Sequence, residues 1–326
     1  MKIAVTGASG HIGVNLCQEL VKHGHSVKAL IHKNDCGIKE LPLECVPGDL
    51  LDASSLSRLV RGVEVVFHLA AVISIQVRNK KELFEKNVRG TENVVEAALK
   101  EGVPRLIHFS SIHALVQEPF EGVLDEGRSL ALKDNVDYSR SKALSELVVQ
   151  EAVKDGLDAV ILNPTATIGP LDYAPSLLGK ALILIYRGKI PALISGGYDW
   201  VDVRDVVKAA IVSVEKGEKG ERYILSGHWK TLCELAELTY EISGKRYKKL
   251  TCSPGLARVG LPFLKLYCRL NSSQPLYTKD SLRILQTSHS QVSCEKARKR
   301  FGFNPRPMEE TLRDTFDWYR TNGFMD

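Results

Sequence analysis

The chain has 326 residues, 44% hydrophobic and 25% charged, with a formal net charge of +5. That is the composition of ordinary globular protein, long enough for a large core with a second lobe. The charge is mild and spread out, and the basic clusters Lys245-Arg246-Tyr247-Lys248-Lys249 and Arg298-Lys299-Arg300 form no continuous stripe with base-stacking aromatics, which excludes nucleic acid as a partner.

Those clusters read as solvated faces, able to attract an acidic substrate or a membrane surface. No apolar run reaches transmembrane length, and the first residues enter a strand without a charged-then-apolar leader, so the expected location is the cytoplasm. The seven cysteines, Cys17, Cys36, Cys45, Cys233, Cys252, Cys268 and Cys294, are odd in number and contain no C-x-x-C pair. They read as reduced thiols, with no disulfide framework and no metal site.

In chain order, Lys2–Thr6 is a short apolar run that reads as a buried strand. It passes into Gly7-Ala8-Ser9-Gly10-His11-Ile12-Gly13 and then into a helical pattern carried by Ile12, Leu16, Leu20 and Val21. Gly7 and Gly10 let the backbone turn sharply and approach a pyrophosphate, and Gly13 lets the helix sit close on the sheet. The helix-start amides then face the anion, with Ser9, His11 and Ile12 around it. A second strand, Ser26–Ile31, follows, and the context makes this a dinucleotide site. Where an acidic residue would accept the adenosine ribose hydroxyls the chain has Ile31, followed by the basic pair His32 and Lys33, which predicts NADP(H) over NAD(H).

Strands and helices continue to alternate. Strands are predicted at 43–47, 64–69, 105–110 and 159–162, and helices at 54–60, 81–101 and 137–155. This is the order of a doubly wound α/β fold with a parallel sheet, in which ligands bind outside the carboxyl ends of the strands. The loops that matter are therefore Asp49-Leu50, Leu69-Ala70-Ala71, Ser110-Ser111 and Asn163-Pro164-Thr165, with Thr167 just beyond.

Residues 1–163 read as the nucleotide-binding domain. Past them, Gly169-Pro170 and Gly196-Gly197 bound a helix, a return segment to the sheet spans about 198–226, and Thr231-x-x-Glu234 reads as a capping box opening a helix. Segments 164–197 and 227–326 are then a smaller, mostly helical substrate lobe. Its stretch Gly255–Cys268 is unusually apolar, in keeping with core packing or with a greasy pocket.

Tyr138-Ser139-Arg140-Ser141-Lys142 carries the chemistry. Residues four apart share a helical face, so Lys142 can hold its ammonium near the Tyr138 phenol and a cofactor ribose, pulling the phenol towards neutrality as a proton donor requires. Of ten tyrosines only Tyr138 has lysine four residues on. Ser110-Ser111, at a strand end, supplies a hydroxyl for the substrate oxygen. Asn87, mid-helix where asparagine fits poorly, reads either as the holder of a water that passes protons to Lys142 or as a buried structural amide.

Together, Thr6-Gly7-x-x-Gly10-x-x-Gly13, Asp49-Leu50, His68-Leu69-Ala70-Ala71, Asn87, Ser110-Ser111, Tyr138-x-x-x-Lys142, Asn163-Pro164, Gly169-Pro170 and Trp200-Val201-Asp202-Val203-Arg204-Asp205 resemble the extended short-chain dehydrogenase/reductase family over residues 1–226. The resemblance implies a Rossmann domain, Ser111, Tyr138, Lys142 and Asn87 as the catalytic set, Asp49-Leu50 and Ala70 bordering adenine and ribose, and a homodimer through helices such as 81–101 and 137–155. Val27–His32 and Arg105–Ser111 are most similar to the dihydroflavonol reductase, cinnamoyl-CoA reductase and 3β-hydroxysteroid dehydrogenase branch, although His32 stands where that branch carries arginine. The activity this implies is NADPH-dependent reduction of an aldehyde or ketone. The alternatives are a sugar-nucleotide epimerase or dehydratase retaining NAD, and a non-catalytic NADP-sensing protein.

Overall fold

The computed structural model describes residues 1–72, 79–190, 192–244, 250–253, 255–257, 259 and 279–325. The basic cluster 245–249 and most of the apolar stretch 255–268 lie outside them.

Seven strands form one parallel sheet: β1 (Lys2–Thr6), β2 (Ser26–Ile31), β3 (Glu44–Pro47), β4 (Val65–His68), β5 (Arg105–Phe109), β6 (Ala159–Pro164) and β10 (Arg222–Leu225). Their order is β10-β6-β5-β4-β1-β2-β3, so the winding reverses beside β1, and a crevice opens there at the carboxyl ends. Side chains alternate along each strand and both faces are covered. Ile3, Val5, Phe67, Ile107, Val160 and Leu162 pack on one side under α1 (His11–Lys22), α7 (Val203–Lys216) and α10 (Glu295–Phe301). Ala4, Val66, Leu106, Ala159 and Ile161 pack on the other under α2 (Ala53–Val60), α4 (Gly90–Lys100) and α5 (Asp137–Lys154).

The continuous helix expected over 81–101 is instead three segments. α3 (Lys80–Phe84) runs into a π-helical turn, Glu85–Arg89, and then into α4. The cause lies in two side chains. Asn87 turns its amide out of the helix to bond the backbone of Val72, accepting from N at 2.8 Å and donating to O at 2.9 Å, while the Thr91 hydroxyl donates to Asn87 O at 2.7 Å.

The return segment is also split. β9 (Gly197–Asp202) does not join the central sheet but pairs with β7 (Ala166–Ile168) and β11 (His228–Thr231); only α7 and β10 come back to it. Trp200 decides this, because its indole is buried in the second core and its N–H donates to Lys230 O at 3.0 Å. That core, with Leu182, Ile185, Leu235, Leu285 and Phe316, sits among α6 (Leu177–Tyr186), α8 (Leu232–Ser243), α9 (Lys279–Thr287) and α11 (Met308–Thr321). A short pair, β8 (Leu193–Ile194) with β12 (Thr251–Cys252), completes it. The capping box at the start of α8 is present, Glu234 N donating to Thr231 Oγ1 at 3.1 Å and Thr231 N to Glu234 Oε2 at 2.8 Å. Among the described residues no helix is long and apolar enough to cross a membrane.

An ion cluster joins the two cores. Asp202 caps α7 by accepting from Arg204 N at 2.8 Å, pairs with the Arg204 guanidinium at 2.7 Å, and has its side chain fully buried. Arg204 also pairs with Asp314 on α11, and Arg306 pairs with Asp205 at 2.8 Å. Removing the Asp202 carboxylate takes one partner from each of two half-buried guanidinium groups, leaving Arg204 to Asp314 and Arg306 to Asp205 and Glu310, and removes the α7 cap. Asp202→Ala is therefore expected to lose about 3 kcal/mol of stability in urea denaturation; a loss no larger than that of an exposed-site alanine variant would show the cluster to be structurally idle.

Candidate active site

The site is built where β1, β4, β5 and β6 end. Gly7 adopts a φ of +73°, and its carbonyl accepts from Gly10 N at 3.0 Å, closing the turn. A Cβ on Gly7 would lie 2.7 Å from Ala70 N, and one on Gly13 would overlap the Gly7 carbonyl oxygen, so both glycines permit close backbone approach. Gly10 is different. It is extended, at φ −78°, and serves as the N-cap of α1 with no side-chain cap bond, which leaves the first helix amides for an anion. A turn packed so tightly on the strand ends that Gly7 and Gly13 admit no Cβ, opening onto uncapped amides, fits a dinucleotide diphosphate. The Gly169-Pro170 loop closes over it from beyond β7: Pro170 O accepts from Asn15 Nδ2 at 3.0 Å and lies 3.0 Å from His11 Nε2.

At the end of β2, His32 is not free. Its Nε2 lies 3.0 Å from Asp49 Oδ2, so a carboxylate offsets half of the basic pair, while Lys33 is exposed. Leu50 stacks against the Cα of Gly90 and its carbonyl accepts from Asn93 Nδ2 at 2.8 Å.

A cavity of about 450 Å³ runs from the glycine turn into the second lobe. Its near end is walled by Gly7, Gly10, His11, Ile12 and Gly13, with Leu69 and Ala71 opposite. In its middle stand Ser110, Ser111, His113, Tyr138 and Lys142, with Pro164, Thr165 and Thr167 alongside. Its far end is apolar: Leu178, Leu182 and Ile185 from α6, Leu232 and Leu235 near α8, and Trp200. The run Leu177-Leu178-Gly179-Lys180-Ala181-Leu182-Ile183-Leu184-Ile185-Tyr186, apolar on nearly every side, was the signal available for this wall. Ser9, His32, Lys33, Asp49, Leu50 and Ala70 lie outside this cavity, along the strand ends, and Asn87 and Asn163 are buried behind it.

The Asn163 amide is buried: Nδ2 donates to Ser111 O at 3.0 Å and to Glu146 Oε2 at 2.9 Å, while Oδ1 has no partner among the described residues. The Asn87 amide donates one N–H to Val72 O and the other to Ser141 Oγ at 3.0 Å, so both of its N–H groups have protein partners.

Lys142 is 3% exposed and its Nζ donates to Phe109 O at 2.7 Å, so the ammonium is anchored on the strand side. Burial lowers its pKa to about 8, against the opposing pull of Glu146. Burial likewise raises the Tyr138 phenol above its ordinary value, with the Ser111 hydroxyl pulling the other way. The downward shift expected from Lys142 is not found: desolvation sets the direction, and the group that opposes it is Ser111. Ser111 caps the short turn Ile112–Ala114 and accepts from His113 N at 3.2 Å. The Ser110 hydroxyl is buried without a partner.

A line of buried polar groups, not foreseen in the sequence, lies beneath the set. Ala70 N donates to Thr6 Oγ1 (3.3 Å), which bonds His68 Nδ1 (2.7 Å); His68 Nε2 bonds Thr91 Oγ1 (3.0 Å), which donates to Asn87 O. Since the Thr91 proton goes to a carbonyl, His68 must carry its proton on Nε2 and accept from Thr6 on Nδ1. His108 stacks 5.3 Å from His68 and reaches Ser145 Oγ at 3.2 Å. Burial first, then the Lys142 charge, lowers His68 to about 3 and His108 well below its ordinary value. His113, on the cavity wall, is held at about 4.

Folded-state pKa values depressed below the unfolded 6.5 give stability that is complete above pH 6.5 and lost as pH falls towards the folded values. The urea midpoint is expected to decline between pH 6.5 and 5, and less steeply in His68→Gln than in the wild type. Equal slopes in the two proteins would contradict the assignment.

The comparisons with known proteins bear on what this geometry serves. The model of the NAD dependent epimerase/dehydratase family matches residues 3–226. Sterol demethylase protein B of Methylococcus capsulatus is 34% identical over 332 residues, covering 100% of both chains. A 2-alkyl-3-oxoalkanoate reductase of Stenotrophomonas maltophilia is 29% identical, with 96% of this chain and 98% of the relative covered. The crystal structure of gox2253 superposes with a TM-score of 0.86 at 30% identity, covering 100% of this chain and 99% of that one. The chain belongs to the NAD dependent epimerase/dehydratase family, that is, the extended short-chain dehydrogenase/reductases. It is an oxidoreductase of that family and falls with the relatives named as dihydroflavonol reductase, cinnamoyl-CoA reductase and 3β-hydroxysteroid dehydrogenase.

Proposed function

We propose that this protein reversibly reduces an aldehyde or ketone carbonyl on a hydrophobic small molecule, with NADP(H) preferred over NAD(H). The observation that carries the reading is the cavity itself. It joins the glycine turn to Ser111, Tyr138 and Lys142 and ends in leucine, isoleucine and tryptophan, and among the described residues no lysine or arginine except Lys142 lines it. A sugar-nucleotide substrate brings its own diphosphate, for which cations are the usual partners, and the described part of this wall offers only Lys142. A redox sensor would leave the Ser-Tyr-Lys set without a task. The names of the sterol demethylase and 2-alkyl-3-oxoalkanoate reductase relatives also favour apolar substrates.

Residues 1–163 with α7 and β10 would hold the nucleotide: the Gly7–Gly13 turn its diphosphate, Leu69, Ala70 and Ala71 its ribose side, Asp49 and Leu50 its adenine, His32 and Lys33 a 2′-phosphate. Segments 164–197 and 227–326 would shape the substrate end. The nicotinamide, when bound, supplies or accepts the hydride at the carbonyl carbon. The phenol of Tyr138, kept protonated at neutral pH by its burial, donates its proton to the carbonyl oxygen as charge gathers there, while the Ser111 hydroxyl hydrogen-bonds that oxygen. The Lys142 ammonium then stabilises the phenolate. With that ammonium losing its proton near pH 8, the reductive rate is expected to fall as pH rises through about 8.

A screen of carbonyl compounds, 3-oxosteroids among them, following NADPH absorbance tests the reading: one NADPH should be consumed per product, whereas an epimerase consumes none. Tyr138→Phe should cut turnover by roughly 10²- to 10⁴-fold and leave NADPH binding unchanged. Lys33→Ala should weaken NADPH binding about tenfold, the loss of one phosphate contact, with little effect on NADH. Tighter binding of NADH than NADPH by the wild type would reverse the cofactor assignment.

A further inference from the structure

Behind the proposed catalytic set lies a second buried charge. Tyr138, Lys142 and Glu146 follow one another at single-turn spacing on one face of α5, and the Glu146 side chain is fully buried. Its Oε1 lies 3.0 Å from Arg222 Nε on β10, and its Oε2 accepts from Asn163 Nδ2 at 2.9 Å. The second proton of the same Asn163 amide goes to Ser111 O at 3.0 Å. One carboxylate thus touches α5, β6 and β10 and reaches, through one amide, the backbone of the serine. Burying a carboxylate costs several kcal/mol unless it is paired and hydrogen-bonded, and here Oε2 is hydrogen-bonded while Oε1 is ion-paired but accepts no hydrogen bond, so a buried charge beneath the cavity needs a reason beyond packing.

Resting on the reading above, we propose that Glu146 is a positioning residue of this enzyme: its carboxylate is the buried counter-charge of Lys142 and, through Asn163, the anchor of the Ser111 backbone. The groups facing Lys142 are few. Along α5 the charged group acting on it is Glu146, and from β4 and β5 the groups that feel its charge are His68 and His108, both neutral. Glu146 is the group that opposes the fall of the lysine towards its neutral form, and Arg222 in turn limits how far that opposition reaches. A merely structural carboxylate would hold the strands together without setting the charge state one turn away.

The test reads Lys142 directly in the ligand-free full-length chain. Protein carrying ¹³Cε-labelled lysine is titrated by NMR, with the Lys142 signal assigned by its absence in Lys142→Met. In Glu146→Gln the Lys142 titration is expected to move down by about one unit, and in Glu146→Asp, which keeps the charge, to stay near the wild-type value. If Glu146→Gln fails to fold, Arg222→Gln serves instead, and there the titration should move up because the competing cation is gone. An unmoved Lys142 in folded Glu146→Gln, or an unmoved or lowered one in Arg222→Gln, overturns the proposal. NADPH binding by the wild type, followed by cofactor fluorescence, is measured in parallel. Its absence would sink the functional reading, while the lysine titration still decides the role of Glu146.

Discussion

A buried ammonium is the constraint around which the site is arranged. An unpaired cation in the interior is too costly to persist, so every group around Lys142 answers to it. The Phe109 carbonyl accepts one of its hydrogen bonds, Glu146 supplies opposite charge from the next helical turn, and the two nearby histidines are held neutral first by their burial and then by its charge. What is left to the ammonium is the cavity side, where the phenol stands. The position of α5 against β5 is therefore both a packing solution and a chemical one.

The glycine turn and the catalytic helix are separate pieces of chain, yet they are mechanically connected. Thr6 immediately precedes the turn, and its hydroxyl starts the hydrogen-bonded line through His68 and Thr91 that reaches Asn87 and, at 3.4 Å, Ser145 on α5. Such lines are directional: one donor per hydroxyl fixes the tautomer of His68 and leaves no proton to spare. They hold the strand ends in register where a ligand must meet both pieces at once. The second core, joined to the first through the Asp202, Arg204 and Arg306 cluster, then presents an apolar wall to the same opening.

Much of this was legible in the residues themselves. Strands buried on both faces announce themselves as short apolar runs, and Gly7, Gly13 and the capping box at Thr231 each carry a local geometric demand that no tertiary contact reverses. What was not legible depended on partners distant in sequence. Nothing around Asn87 tells that Val72 will claim its amide and open a π turn, and nothing in the apolar run at Trp200 tells which of two sheets will take it. A pull of Lys142 on Tyr138 is what spacing leads one to expect, but the desolvation that raises the phenol follows only from its burial in the folded chain. That Asp49, from the next strand end, stands beside His32 is likewise a contact between distant residues. Glu146 and His108 carry no motif of their own.

The most direct test of the central claim, that one opening brings a cradled dinucleotide to the Tyr138 phenol, is a crystal structure of the protein grown with NADP⁺. The diphosphate is expected on the amides at the start of α1 and the nicotinamide ring beside Ser111 and Tyr138, with Lys142 at the ribose. A diphosphate bound elsewhere, or a nicotinamide turned away from that hydroxyl, would contradict it.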